Sequence, residues 1–284
     1  MTWLFYAFSA VFFFTCLNIL QRVLSVDSKY PRAMAIVFNS IAAILALALF
    51  MLSGSYTHFV LPTEKEAWIY LLIASFFYAL FERGRFLASK LLDASLVTTI
   101  MNVSVLVAFT GSLFLFSEKL TLPKLIGALL IFTSLILVSI FRKNKEKASK
   151  KGIIVTILIS IALGLAWMLD KMGTTYFPPL TYSIFVWTIP IIFIYLPYVK
   201  ISELKAEFTR TNWKIALLAF FNVAGYALQL KAFSMAEATK VIPIIQTSSM
   251  FTVLLGIILL KEKDHMLRKI IAGILAVTGV YFLM

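Results

Sequence analysis

Long apolar stretches separated by short polar ones run the length of this chain. A membrane-spanning helix takes roughly 20 consecutive apolar residues, and ten stretches meet that length: about 3–24, 32–53, 67–89, 94–116, 123–141, 152–172, 180–199, 213–235, 239–260 and 267–284. Trp3, Trp68, Trp213 and Tyr281 stand near their ends, where amphipathic rings suit the headgroup region. Between the fifth and sixth stretches, Arg142 to Lys151 is the one strongly polar run. It divides the chain into two five-span halves, residues 1–141 and 152–284, joined by a basic linker at 142–151.

The halves carry a weak internal repeat. A shift of 144 residues lays Ala94 on Ala238, Val97 on Val241, Asn102 on Gln246 and Glu118-Lys119 on Glu262-Lys263. Gly127 and Gly273 follow at a shift of 146, and Tyr78-Ala79-Leu80 recurs as Tyr226-Ala227-Leu228 at 148. Five spans is an odd number, so the second half enters the membrane from the opposite face to the first. Such inverted repeats recur in secondary transporters, with the site near the midplane. The predicted fold is therefore an all-α integral membrane protein, its ten transmembrane helices forming two inverted five-helix repeats around a central cavity.

Composition strengthens this reading. Of 284 residues 61% are hydrophobic and 14% charged, against about 45–50% and 25% in soluble domains. The net charge of +13 does not point to nucleic acid, because the basic residues punctuate apolar stretches instead of gathering on a soluble face. Connections after spans one, three, five, seven and nine hold eighteen Lys and Arg against five on the other side. Positive residues concentrate in cytoplasmic loops, so both termini are expected outside the cytoplasm of a multi-pass protein of the cell (inner) membrane. Met1-Thr2-Trp3 lacks a basic n-region, so the first stretch is expected to be a retained span and not a cleaved leader. Cys16 stands alone, and His58 and His265 are far apart; neither a disulfide framework nor a metal is expected.

The doubled arrangement of apolar helix, Glu-Lys, short loop and Gly-containing helix, at Glu118-Lys119…Gly127 and Glu262-Lys263…Gly273, resembles the drug/metabolite transporter superfamily, specifically the ten-helix EamA-type permeases. Asn18-Ile19-Leu20-Gln21-Arg22 and Trp167-Met168-Leu169-Asp170-Lys171 look like the paired ends of spans one and six. Where many relatives carry a proline in spans four and nine, this chain has Val105 and Ser249, with Pro243 six residues earlier. The resemblance implies alternating-access movement of a small metabolite through a cavity between the halves. Relatives handle amino acids, drugs, sugar phosphates and nucleotide sugars.

A charge near the centre of a spanning helix costs about 2.5–3.5 kcal/mol on insertion scales, and usually faces a cavity or a partner. Glu82 and Arg85 share a helical stripe with Ser75, Tyr78 and Ser89, at spacings of 3, 4, 3 and 4. The stripe reads either as a substrate-contacting wall, with Glu82 coupling protons, or as an interfacial Arg85 neutralised by Glu82. Arg83 and Lys231 coincide at the 148 shift. They read as an anion clamp built from both halves, or as two cations that snorkel to the interfaces. Asn222, Tyr226 and Gln229 lie on one face of span eight, and Asn102 coincides with Gln246. These groups either line the cavity or tie helices together, the latter worth about 0.6 kcal/mol on average. Trp167 offers an aromatic wall or ordinary packing. Asp170-Lys171 reads as a solvated pair at a helix end, and Pro243 as a bend in span nine.

Two function classes follow. The first is a secondary transporter of a small metabolite, an amino acid or a related compound. It needs no cofactor and works as a monomer, with the substrate and the lipid bilayer as its partners. No G-x-x-x-x-G-K-[ST] loop occurs, so ATP drive within the chain is not expected. The second is an integral-membrane enzyme acting on a lipid-linked substrate. It would need a nucleophile–base pair, paired carboxylates or metal ligands at one interface, and no such constellation is apparent.

Overall fold

The computed structural model describes residues 2–24, 28–92, 97, 100–139, 149–210, 212–259 and 266–284. Among these the regular structure is helical: α1 (Trp3–Leu24), α2 (Pro31–Leu52), α3 (Lys65–Leu91), α4 (Val103–Leu115), α5 (Leu122–Ser139), α6 (Lys150–Tyr176), α7 (Pro179–Tyr195), α8 (Ile201–Arg210), α9 (Trp213–Phe233), α10 (Ala238–Leu259) and α11 (Met266–Leu283). Each expected span holds one of these helices. Four described stretches are long and apolar enough to cross a membrane by length and composition: Trp3–Gln21, Pro31–Leu52, Lys150–Tyr176 and Trp213–Phe233. Helix α3 matches α6 in length at 27 residues, but carries Glu82, Arg83 and Arg85 inside it.

Local chemistry sets several helix ends. Pro31 and Pro179 open α2 and α7, where a missing N–H removes nothing from the helix. The Ser149 hydroxyl accepts the Gly152 N–H at 3.2 Å, and the Asn212 side chain accepts the Lys214 N–H at 3.0 Å; both are N-caps. Helix α10 runs on through Pro243, which has no N–H to give the Thr239 carbonyl. The extra element, α8, lies in a segment that reads as a polar connection. Its Glu207 is fully buried and accepts the Tyr30 N–H at 2.7 Å.

The halves interleave. Helix α3 packs on α6 as α1 packs on α9; α4 on α6 as α1 on α10; α3 on α7 as α2 on α9. The pairs α2–α7, α4–α10 and α5–α11 each join a helix to its own repeat equivalent. Exchanging the halves maps these pairs onto one another, so the duplication in the sequence is also present in the packing. At the α5–α11 crossing, a Cβ on Gly127 or Gly279 would lie 2.7 Å from the other's carbonyl oxygen. Such backbone approach needs glycine. The sequence repeat pairs Gly127 with Gly273, but Gly273 instead lines an outer groove with Met250 and Ile274.

One Glu-Lys motif acquires a physical role. Glu118, between α4 and α5, accepts the Ala238 N–H at 2.9 Å and the Thr239 N–H at 3.1 Å, and also the Thr239 hydroxyl. It caps α10 from another helical hairpin, satisfying amides that a helix leaves open. Lys124 donates to the Lys119 carbonyl at 2.8 Å and pairs with Glu237 at 3.0 Å. Glu262-Lys263, the second copy, lies outside the described residues. Glu118→Ala is expected to lower unfolding free energy by about 1–2 kcal/mol. Thermal unfolding would show the loss, and hydrogen exchange would locate it at Ala238 and Thr239.

Candidate functional site

The centre of the bundle holds a carboxylate. Asp170 of α6 is fully buried. Tyr78 of α3 donates its hydroxyl to one carboxylate oxygen at 2.5 Å, and Tyr226 of α9 donates to the other at 3.0 Å. Their rings meet edge to face at 6.0 Å. Tyr182 of α7 lies across Gly173, one turn beyond Asp170, where a Cβ would come within 2.2 Å of the ring. Its hydroxyl approaches the carboxylate without reaching hydrogen-bond geometry. Trp187 of α7 closes the group, its ring 5.7 Å from that of Tyr226.

Among the described residues no lysine or arginine pairs with Asp170; the ion pairs there are Glu82–Arg85 and Lys124–Glu237. Lys171 turns away, donating to the carbonyls of Phe233 at 2.5 Å and Ala236 at 2.8 Å beyond Tyr226 on the same strand of chain. The expected solvated pair at a helix end is therefore corrected. Helix α6 continues to Tyr176, Gly173 admits the Tyr182 ring against its backbone, and both charged residues bond to other helices or their ends.

One turn along α3 from Tyr78 is a second polar group. Glu82 is 4% exposed and pairs with Arg85 at 2.8 Å. The Arg85 guanidinium stands over Phe38 at 4.3 Å and Phe86 at 4.6 Å. The inward stripe holds for Ser75, Tyr78 and Glu82, whereas Ser89 is exposed and bonds the Arg85 carbonyl at 3.0 Å.

The other expected site residues scatter. Gln229 is buried and Asn222 half-buried on the Tyr226 face of α9; Trp167 is half-buried one turn before Asp170; Gln246 is half-buried in α10. The Asn102 amide donates to the Leu135 carbonyl at 3.3 Å, tying the start of α4 to α5. Arg83 and Lys231 are not brought together. Arg83 shares a groove with Phe193, Leu196 and Pro197 at the C-terminal end of α7. Lys231 is exposed near the carbonyls that Lys171 holds, toward the N-terminal end of α7. The two thus stand toward opposite ends of that 17-residue helix.

A central cavity is expected from the repeat; among the described residues the Asp170 group is packed ring against ring. Grooves of about 250 Å³ and about 360 Å³ lie at the surface, and neither is lined by a residue of the Asp170 group. Tyr78, Tyr182, Trp187 and Tyr226 fill the space between the halves.

Two successive matches to the EamA-like transporter family cover residues 1–140 and 150–284. The chain belongs to this family. Membership makes it a multi-pass membrane protein of the drug/metabolite transporter superfamily, whose members carry small solutes and are not enzymes. No curated protein matches the chain. A crystal structure with 13% sequence identity matches over 98% of this chain and 94% of its own, with a TM-score of 0.72; at that identity the likeness concerns the fold. In this EamA-like chain the family's two copies correspond to the halves that supply Tyr78 and Tyr226.

Proposed function

We propose that this protein moves a small metabolite, an amino acid or a related amine, across the cytoplasmic membrane by alternating access, with Asp170 as the central binding group. The observation that carries this reading is a fully buried carboxylate without a cation among the described residues, held by two tyrosines that coincide in the sequence repeat. A buried charge is stable only when paired or well hydrogen-bonded, so the site favours a ligand that brings a positive group. An ammonium matches both elements present, a carboxylate and surrounding aromatic faces. Tyr78 and Tyr226 then act as the substrate's gate, one from each half, with Asn222 and Gln229 extending the wall.

Ten spanning helices in two inverted repeats follow from the odd number of spans per half, supported by the packing pairs that map onto one another. On this reading the packed Asp170 group belongs to an occluded state. Opening toward either side separates one half's tyrosine from Asp170, while a bound ammonium or a proton holds the carboxylate meanwhile. The coupling role proposed from sequence for Glu82 passes to Asp170, because Glu82 is already neutralised by Arg85.

Uptake of labelled amino acids and simple amines into vesicles reconstituted with the full chain tests this reading. Tyr78→Phe and Tyr226→Phe each remove one hydrogen bond to a charged group, worth about 1.5–3 kcal/mol. Each is expected to lower kcat/KM by roughly tenfold or more. Uptake by both variants at the unsubstituted rate would refute the site.

A further inference from the structure

Arg83 is left over by the central site. Its neighbours on α3, Glu82 and Arg85, pair with each other, while Arg83 is half-buried on another face with no hydrogen bond or ion pair among the described residues. It stands at one end of a groove of about 250 Å³ whose other walls are Phe76, Ala79 and Leu80 of α3 with Phe193, Leu196 and Pro197 beside them. Phe76 is 44% exposed and Leu196 53%. On a membrane-spanning bundle such a face meets lipid. A guanidinium there is costly unless an anion or water reaches it.

The surroundings are basic. Arg32 lies within electrostatic reach of Arg83 and of Glu203 on α8. Its guanidinium is committed to the end of α7, donating to the Ile194 carbonyl at 3.0 Å and the Pro197 carbonyl at 2.7 Å. Arg32 keeps a buried Nε without a partner, but its Nη2 is anchored, whereas Arg83 makes no hydrogen bond or ion pair among the described residues. Beyond Pro197 the chain adds Lys200, Lys205, Arg210 and Lys214. In the same segment Ile201 and Phe208 of α8 are 69% and 68% exposed, the mark of a helix lying in the interface. The groove is too small for a protein helix, which is about 10 Å across, but it takes a length of one acyl chain.

We propose that this groove binds one anionic phospholipid of the adjoining leaflet, with an acyl chain along Phe76, Leu80 and Phe193 and the phosphate on Arg83. The proposal stands apart from the central site and needs only that the helices span the membrane.

Native mass spectrometry of the full chain, released from nanodiscs of equal phosphatidylglycerol and phosphatidylcholine, tests it. The unsubstituted protein is expected to retain one phosphatidylglycerol. Arg83→Gln is expected to lower that retention about fivefold, the worth of one basic contact with an anionic headgroup. Arg83→Lys should keep most of it, and Leu80→Trp, which fills the groove and leaves the charge, should lose it. Equal retention of the two lipids, an unchanged preference in Arg83→Gln, or displacement of the lipid by inorganic phosphate would each overturn the proposal.

Discussion

Asp170→Asn is expected to lower uptake about a hundredfold while leaving a folded protein in the membrane. The substitution keeps the shape of the side chain and removes its charge. One amide oxygen still accepts from a tyrosine, but the amide nitrogen faces the other hydroxyl, and a substrate ammonium loses its counterion. Loss of a charged hydrogen-bonding partner is worth about 3 kcal/mol, or roughly a hundredfold in kcat/KM. Stability should change little, because replacing a buried charge by a neutral group of equal volume removes a desolvation penalty along with the bond. Vesicle uptake read beside thermal unfolding separates the two effects. Unimpaired uptake would remove Asp170 from the mechanism; unfolding would make it a structural group.

The largest stability effect is expected at the α5–α11 crossing. A Cβ at Gly279 would sit 2.7 Å from the Gly127 carbonyl oxygen and 2.8 Å from an Ile131 side-chain carbon. Backbone cannot step aside as a flexible side chain does, so Gly279→Val must drive the helices apart. Overpacking of this kind costs about 1–3 kcal/mol. The separation should also loosen the Ser134 hydroxyl, which donates to the Ala272 carbonyl at 2.7 Å. A lower melting temperature in detergent is the expected reading. Unchanged melting of Gly279→Val would show that the two helices do not meet at this point in the folded protein.

Most of the fold is legible in the residues, because a chain in lipid must place its backbone hydrogen bonds inside helices. The apolar lengths therefore mark every helix that crosses the bundle, and the odd count per half suggests how the halves relate. Helix α8 escapes that logic. It is amphipathic, and its one fully buried carboxylate, Glu207, has its role set by Tyr30, 177 residues away. The site is legible in part. Tyr78, Tyr226 and Glu82 stand out by spacing and repetition. Asp170 does not, since Asp170-Lys171 reads as a solvated pair at a helix end, and only the tyrosines brought from two other helices show the carboxylate to be held inside. Arg83 and Lys231 coincide in the repeat, yet equivalence under an exchange of halves sends a pair of residues to opposite ends as readily as to one site. The second Glu-Lys pair and linker residues 142–148 fall outside the described residues, so the cap made by Glu118 has no observed counterpart.

The Asp170 centre also breaks the duplication that surrounds it. In the alignment of the two helix ends Gln21 takes its place in the first half, and that side chain is exposed. Two perfectly alike halves would give inward-open and outward-open shapes of equal energy, and an empty carrier would divide its time evenly between them. Under the alternating access proposed above, a carboxylate on α6 without a counterpart in the first half makes the two shapes chemically distinct. Whichever keeps the carboxylate better hydrogen-bonded becomes the resting form of the empty protein. On that proposal the carrier has a preferred waiting side, to which this residue contributes, even before any gradient acts on it.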